Sequence, residues 1–295
     1  MLGDALSILV TGAMISAIYA LIAIGFTMIF GVGGVLNLAH GALIMIGAYA
    51  YLVLVSSATF GAVALPGFVA FPIAVAVGAL ASYGLYAGLV KHVEDNVVIT
   101  FLATLVVAVL LAELAVAIFS PDPYHYSLVS GSIHLEWIGT RILWVEVAGF
   151  VVSWIAIGLL WYYVTRTDGG RSILATSMSE RGAQLTGVDL PGVKARTWLI
   201  AGALAGIAGM FIGTTRSTTP LMWLDPLALA FIIVVIGGIG SIKGSVIAAY
   251  LIGYLETITV AALGSGFRGI FSLLVLVVVL MVLPQGLYGR EFVHE

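Results

Sequence analysis

The chain has 295 residues, 62% of them hydrophobic and 8% charged, where an ordinary soluble domain carries about 25% charged residues. With a mean hydropathy of +1.19, a net charge of −3 and no basic stripe, it is neither a soluble globular protein nor a nucleic-acid binder. It contains no cysteine, which excludes disulfides and thiolate chemistry.

A membrane-spanning helix needs about 20 predominantly apolar residues. The N-terminus lacks a basic n-region and its first charge is Asp4, so no cleavable signal peptide is expected. The first span is predicted over residues 5–30. A glycine-rich break follows, Gly31-Val-Gly-Gly-Val-Leu-Asn37-Leu-Ala-His40-Gly41. The second span is predicted over 42–58 and the third over 68–90, before a polar turn at 91–96. The fourth, 97–119, contains Glu113. Residues 120–141 are polar, with Pro121, Pro123 and several β-formers that suggest a small hairpin. The fifth span is predicted over 142–164.

Next comes the one long polar interval, residues 165–196. It holds Arg166, Arg171, Arg181, Lys194 and Arg196, five of the eleven basic residues. A short helix is predicted within it. Ser179 suits the N-cap, Glu180 the first turn and Gly187 the C′ position, with Pro191 just beyond. The sixth span is predicted over 198–215, followed by a polar link at 216–226. Residues 227–236 are apolar but short, and end in Gly237-Gly-Ile-Gly-Ser-Ile-Lys243-Gly244. The last two spans are predicted over 245–263 and 271–283. The expected fold is therefore all-α and polytopic, with eight spans plus one short segment, or nine crossings. No linker and no strong internal repeat divides it, so residues 1–295 read as one domain. The 36 glycines suit close helix packing.

Short loops rich in Lys and Arg lie on the cytoplasmic side. Placing residues 165–196 there puts Lys91, Lys243 and Arg290 on the same side and the N-terminus outside. Short, glycine-interrupted apolar segments often mark transport sites, because unwound backbone at membrane depth needs protein or a water-filled cavity around it. The two such stretches are Gly31–Gly41 and Gly237–Gly244. Asn37, His40 and Gly41 are expected at the membrane interface, lining the path or capping two half-helices. Glu113 and Glu256 are carboxylates inside spans, costly there by roughly 2.5–3.5 kcal/mol unless partnered. They are expected to line a cavity or to pair across helices. Arg216 and Asp225 are expected near the outer face, paired with each other or with an external protein.

Gly237–Gly244 superficially resembles a phosphate loop but lacks the terminal Gly-Lys-Ser/Thr, so any ATP hydrolysis must come from a partner. Ser130 and Ser132 with His125 and His134 form no catalytic set, and no His-x-x-x-His metal spacing occurs. No metal or cofactor is expected.

The run from Tyr19-Ala-Leu through Gly31 to Asn37-Leu-Ala-His40-Gly41 closely resembles the start of branched-chain amino-acid ABC transporter permeases of the LivH type. Gly237–Gly244 and the placement of the long loop are similar too, so the likeness covers essentially the whole chain. It implies an importer built from a second, different permease subunit, two cytoplasmic ATPases and an extracytoplasmic substrate-binding protein, with membrane lipid around the permease. In such permeases a cytoplasmic helix docks into an ATPase groove near a Glu-Ala-Ala…Gly pattern. Here Arg181-Gly182-Ala183 and then Gly187 stand in that place; Ala183 and Gly187 match, while Arg181 and Gly182 depart. The resemblance thus assigns ATPase coupling to Glu180, Arg181, Gly182, Ala183, Leu185, Gly187 and Val188, and implies a non-enzymatic transport subunit. Two other readings are an autonomous proton- or sodium-coupled transporter, with Glu113 and Glu256 as coupling groups, and an intramembrane enzyme.

Overall fold

The computed structural model describes residues 2–56, 64–135, 140–283 and 285–289. It is a helical membrane protein. Among the described residues, seven helices are long and apolar enough to cross a bilayer, and two shorter apolar ones accompany them. Two long helices form the centre, α1 (Leu2–Gly33) and α8 (Leu190–Arg216). They run antiparallel: Tyr19 meets Arg216, Gly25 meets Ala201, and Ile29 packs with Trp198.

Helices α2 (His40–Val55) and α3 (Gly67–Leu85) close on α8 through glycine. A Cβ on Gly47 would sit 2.5 Å from Gly206 Cα, and one on Gly78 would sit 2.8 Å from Gly202 O. Backbones approach this closely only where side chains are absent. α3 continues through a π-helical turn, Tyr86–Val90, to Lys91–Val93. α4 (Val97–Phe119) starts on the Asn96 cap, whose Oδ1 accepts from Val98 N and Ile99 N. After it, β1 (Ser132–Leu135) pairs antiparallel with β2 (Thr140–Leu143). The expected hairpin thus extends two residues past 141, and α5 (Trp144–Arg166) begins later than predicted. Ser132 accepts a hydrogen bond from Arg141 Nε, in keeping with a solvated loop.

The polar interval is shorter and more helical than expected. It contains α6 (Asp168–Met178) and α7 (Glu180–Leu185), and α8 already begins at Leu190. Pro191 opens α8 instead of ending the helix before it, because its missing N–H costs nothing in a first turn. Lys194 and Arg196 therefore belong to α8. The remaining elements are α9 (Leu224–Gly237), α10 (Ile242–Leu263), a 3₁₀ turn at Ser265–Phe267 and α11 (Ile270–Val282). α10 lies along α1, where Thr27 and Ser245 share a buried hydroxyl contact. α4 and α11 are peripheral, with Leu102, Val106, Leu273 and Val277 exposed. The predicted second span starts two residues early and ends at Val55; its last residues, through Ala58, and Arg290 lie outside the described residues.

The two short helices both start at mid-depth. His40 Nε2 donates to Ile22 O at 3.1 Å. Ile22 lies about 16 Å from the Gly33 end of α1 at 1.5 Å per residue. The chain turns back at Gly34 (φ +63°), and residues 34–39 climb unwound to that level. On the other side, residues 217–223 descend from the end of α8. Trp223 then meets Gly41, where a side chain would collide with the Trp223 carbonyl. α2 runs from this junction toward the Arg216 end, and α9 runs toward the Gly33 end, where Gly31 meets Gly240. Long helix, break and short helix thus occur twice in opposite directions, an inverted arrangement that the sequence did not disclose.

Candidate functional site

At the end of the bundle carrying α6 and α7, Ser179 Oγ accepts from Gly182 N at 3.0 Å and caps α7. The helix closes with Gly187 N donating to Gln184 O and Val188 N to Ala183 O, with Gly187 at φ +84°. This paired closure is why the sequence Leu-Thr-Gly-Val stops a helix here. Of the coupling residues expected from the sequence, Ala183 is only 4% exposed and Val188 packs on the core. Both face inward, so they hold α7 to the bundle and do not form an outward surface. The outward apolar groups are Leu185, 83% exposed, with Met178 and Leu174 of α6. Glu180 and Arg181 are exposed, Gly182 is half-buried and Gly187 is exposed.

Lys194 ties this segment to the membrane helices. Its Nζ lies 2.5 Å from Glu180 Oε1 on α7 and 3.3 Å from Glu94 Oε1 in the α3–α4 turn. One ammonium on α8 therefore joins three elements. A cavity of about 370 Å³ beside it is lined by Glu94, Gln184, Asp189 and Pro191 among others. At the same end Lys243 lies 5.1 Å from the Trp161 ring centroid.

Asn37, His40 and Gly41 are placed together, at mid-depth and not at the membrane interface as expected. Asn37 Oδ1 accepts from Ala39 N at 3.0 Å, just ahead of α2. The carbonyl partner of His40 Nε2 fixes the proton on that nitrogen, so Nδ1 is a bare acceptor, and it has no partner among the described residues. The histidine ring is wedged against Gly25 of α1.

The two intramembrane carboxylates differ. Glu256, 3% exposed, accepts from Tyr19 Oη at 2.6 Å and pairs with Arg268 at 3.0 Å and Arg216 at 3.5 Å. Arg216 thus pairs with Glu256, not with Asp225, which sits exposed in the first turn of α9. Glu113 stands on the exposed side of α4 and has no polar partner among the described residues. Sequence reasoning missed Tyr19, Glu94, Arg268 and Trp223, whose partners lie far away along the chain.

Residues 8–283 match the family described as branched-chain amino acid transport system / permease component. The chain is 28% identical to the high-affinity branched-chain amino acid transport system permease protein LivH of Escherichia coli (strain K12), over 96% of this chain and 95% of that protein. It is also 28% identical to BraD of Pseudomonas aeruginosa, covering 97% and 96% of the two chains. The ribose import permease protein RbsC of Haemophilus influenzae is 26% identical over 90% of this chain and 81% of its own. No solved structure matches. A match over nearly the whole length, on a bundle with nine apolar helices among its described residues, makes this multi-pass membrane chain a member of the branched-chain amino acid transport permease family.

Proposed function

We propose that the chain is the permease subunit of an ABC importer for branched-chain amino acids or related small polar solutes. The observation that carries this reading is the full-length family match, joined to a capped helix α7 that presents Leu185 outward and is ion-paired to α8. One of the two ATPases would engage α7, and closure of the pair on ATP would move α8 and the α3–α4 turn through Lys194. The alternating motion would then hinge on the unwound segments at residues 34–39 and 217–223. An extracytoplasmic binding protein would deliver solute to the opposite end.

The basic interval lies on the cytoplasmic side in this reading, as the distribution of Lys and Arg favours. A second permease subunit, different from this one, covers the α4 face. What supports this is Glu113, a carboxylate that would otherwise meet lipid without a partner.

The test is uptake by the complete importer, assembled in proteoliposomes with its ATPases, second permease and binding protein. Labelled leucine should enter only with ATP, competed by isoleucine and valine and not by ribose or urea. Uptake by this chain alone under a proton or sodium gradient would replace this reading with the secondary-transporter one.

A further inference from the structure

Resting on the import of amino acids proposed above, we infer that the buried N-terminus of α2 is a subsite for the carboxylate of the transported amino acid, with Asn37 and Trp223 as its side-chain donors. α2 begins at mid-depth with its first turn, His40, Gly41 and Ala42, fully enclosed, and no side chain caps it. Asn37, 1% exposed, spends its oxygen on Ala39 N, and its amide nitrogen Nδ2 has no partner. Trp223, 6% exposed, abuts Gly41 through its backbone, and its indole Nε1–H also has no partner.

Buried polar groups in folded proteins are nearly always paired. Here two side-chain donors are left over on residues packed against the first turn of α2, the positive end of its dipole, beside the unpaired acceptor His40 Nδ1. Among the described residues no acceptor reaches them. The group that completes such a set is an anionic acceptor, as at other helix N-termini. Discontinuous helices that start inside the membrane offer their N-termini to anionic substrate groups for the same reason. The start of α9 differs, because it carries its own carboxylate, Asp225, on its exposed side. That charge lets a zwitterion approach and disfavours a dianion. A neutral solute such as urea can accept from these donors through its carbonyl but brings no negative charge to the helix N-terminus.

The complete importer is compared with its Trp223→Phe and Asn37→Asp variants, with saturating leucine-loaded binding protein. Trp223→Phe removes one donor and keeps an aromatic ring; Asn37→Asp replaces a donor by a repelling charge. Leucine uptake should fall about tenfold in the first, as expected for one hydrogen bond to a charged group, and further in the second. Leucinamide, which lacks the carboxylate, should not compete at wild-type or variant. The melting temperature of Trp223→Phe should fall only by what the lost ring volume at a buried site costs, because the unpaired donor itself adds no stability. Wild-type uptake rates in both variants would overturn the subsite, and so would competition by leucinamide equal to that of leucine. Absence of ATP-driven leucine uptake in the wild type would overturn the import reading as well, and that arm tells the two failures apart.

Discussion

Two ionic clusters sit at opposite ends of the bundle, and they are mirror images in charge. At one end a lysine, Lys194, lies between two glutamates, Glu94 and Glu180. At the other a glutamate, Glu256, lies between two arginines, Arg216 and Arg268, with Tyr19 as a further donor. Their surroundings differ. The Glu256 carboxylate is enclosed and fastens α10 to α1, to the end of α8 and to the turn before α11. The Lys194 cluster is partly open, with the Glu180 side chain 46% exposed, and it fastens a short amphipathic segment to the membrane helices. Charges held in low dielectric and hydrogen-bonded act as a rivet, because removing one leaves the others uncompensated. Charges near water give little stability and can exchange partners, which suits a joint that transmits movement.

The largest effect is expected from breaking the enclosed cluster. Glu256→Gln leaves two guanidiniums facing a neutral amide, and should cost roughly 3 kcal/mol of stability, read as a lower melting temperature in detergent. Lys194→Ala should cost only about 1 kcal/mol or less, yet uptake by the assembled importer should fall several-fold as α7 loses its tie to α8. Lys194→Arg, which keeps the charge, should restore most of it. The smallest effect is expected from Glu94→Gln, about 0.5 kcal/mol or less. Its contribution should weaken at high salt, where partly exposed charges are partly screened, by more than that of Glu256. Equal salt sensitivity at the two ends would remove the distinction between rivet and joint.

Much of this organisation is legible in the sequence because it is local. Apolar length gave the long spans, and the pair Ser179 and Gly187 marked both ends of α7 through cap chemistry that needs only neighbouring residues. The break at Gly31–Gly41 was also visible, from glycine and from the polar Asn37 and His40. Its depth was not, because nothing in residues 34–39 encodes how far an unwound strand climbs. That depends on Ile22 and Trp223 meeting α2 in space. The same limit hid the tie between Glu94 and Lys194 and the one between Tyr19 and Glu256. Ala183 shows a further limit: in a helix as short as α7, one turn of apolar residues does not reveal which side faces the bundle.

The cysteine-free chain allows orientation to be read directly. Arg181→Cys should react with an impermeant maleimide only from the cytoplasmic side, and His125→Cys only from outside.

Coupling through α7 is tested most directly by ATPase co-purification with the membrane subunits, wild type against Leu185→Glu. Leu185 is 83% exposed in this chain, so the substitution should leave membrane insertion and melting temperature unchanged. Within a filled groove the same carboxylate would be buried without a partner, at a cost of several kcal/mol. Co-purified ATPase should therefore fall by more than tenfold, and leucine-stimulated hydrolysis with it. Undiminished co-purification together with normal substrate-stimulated hydrolysis would contradict a coupling role for α7.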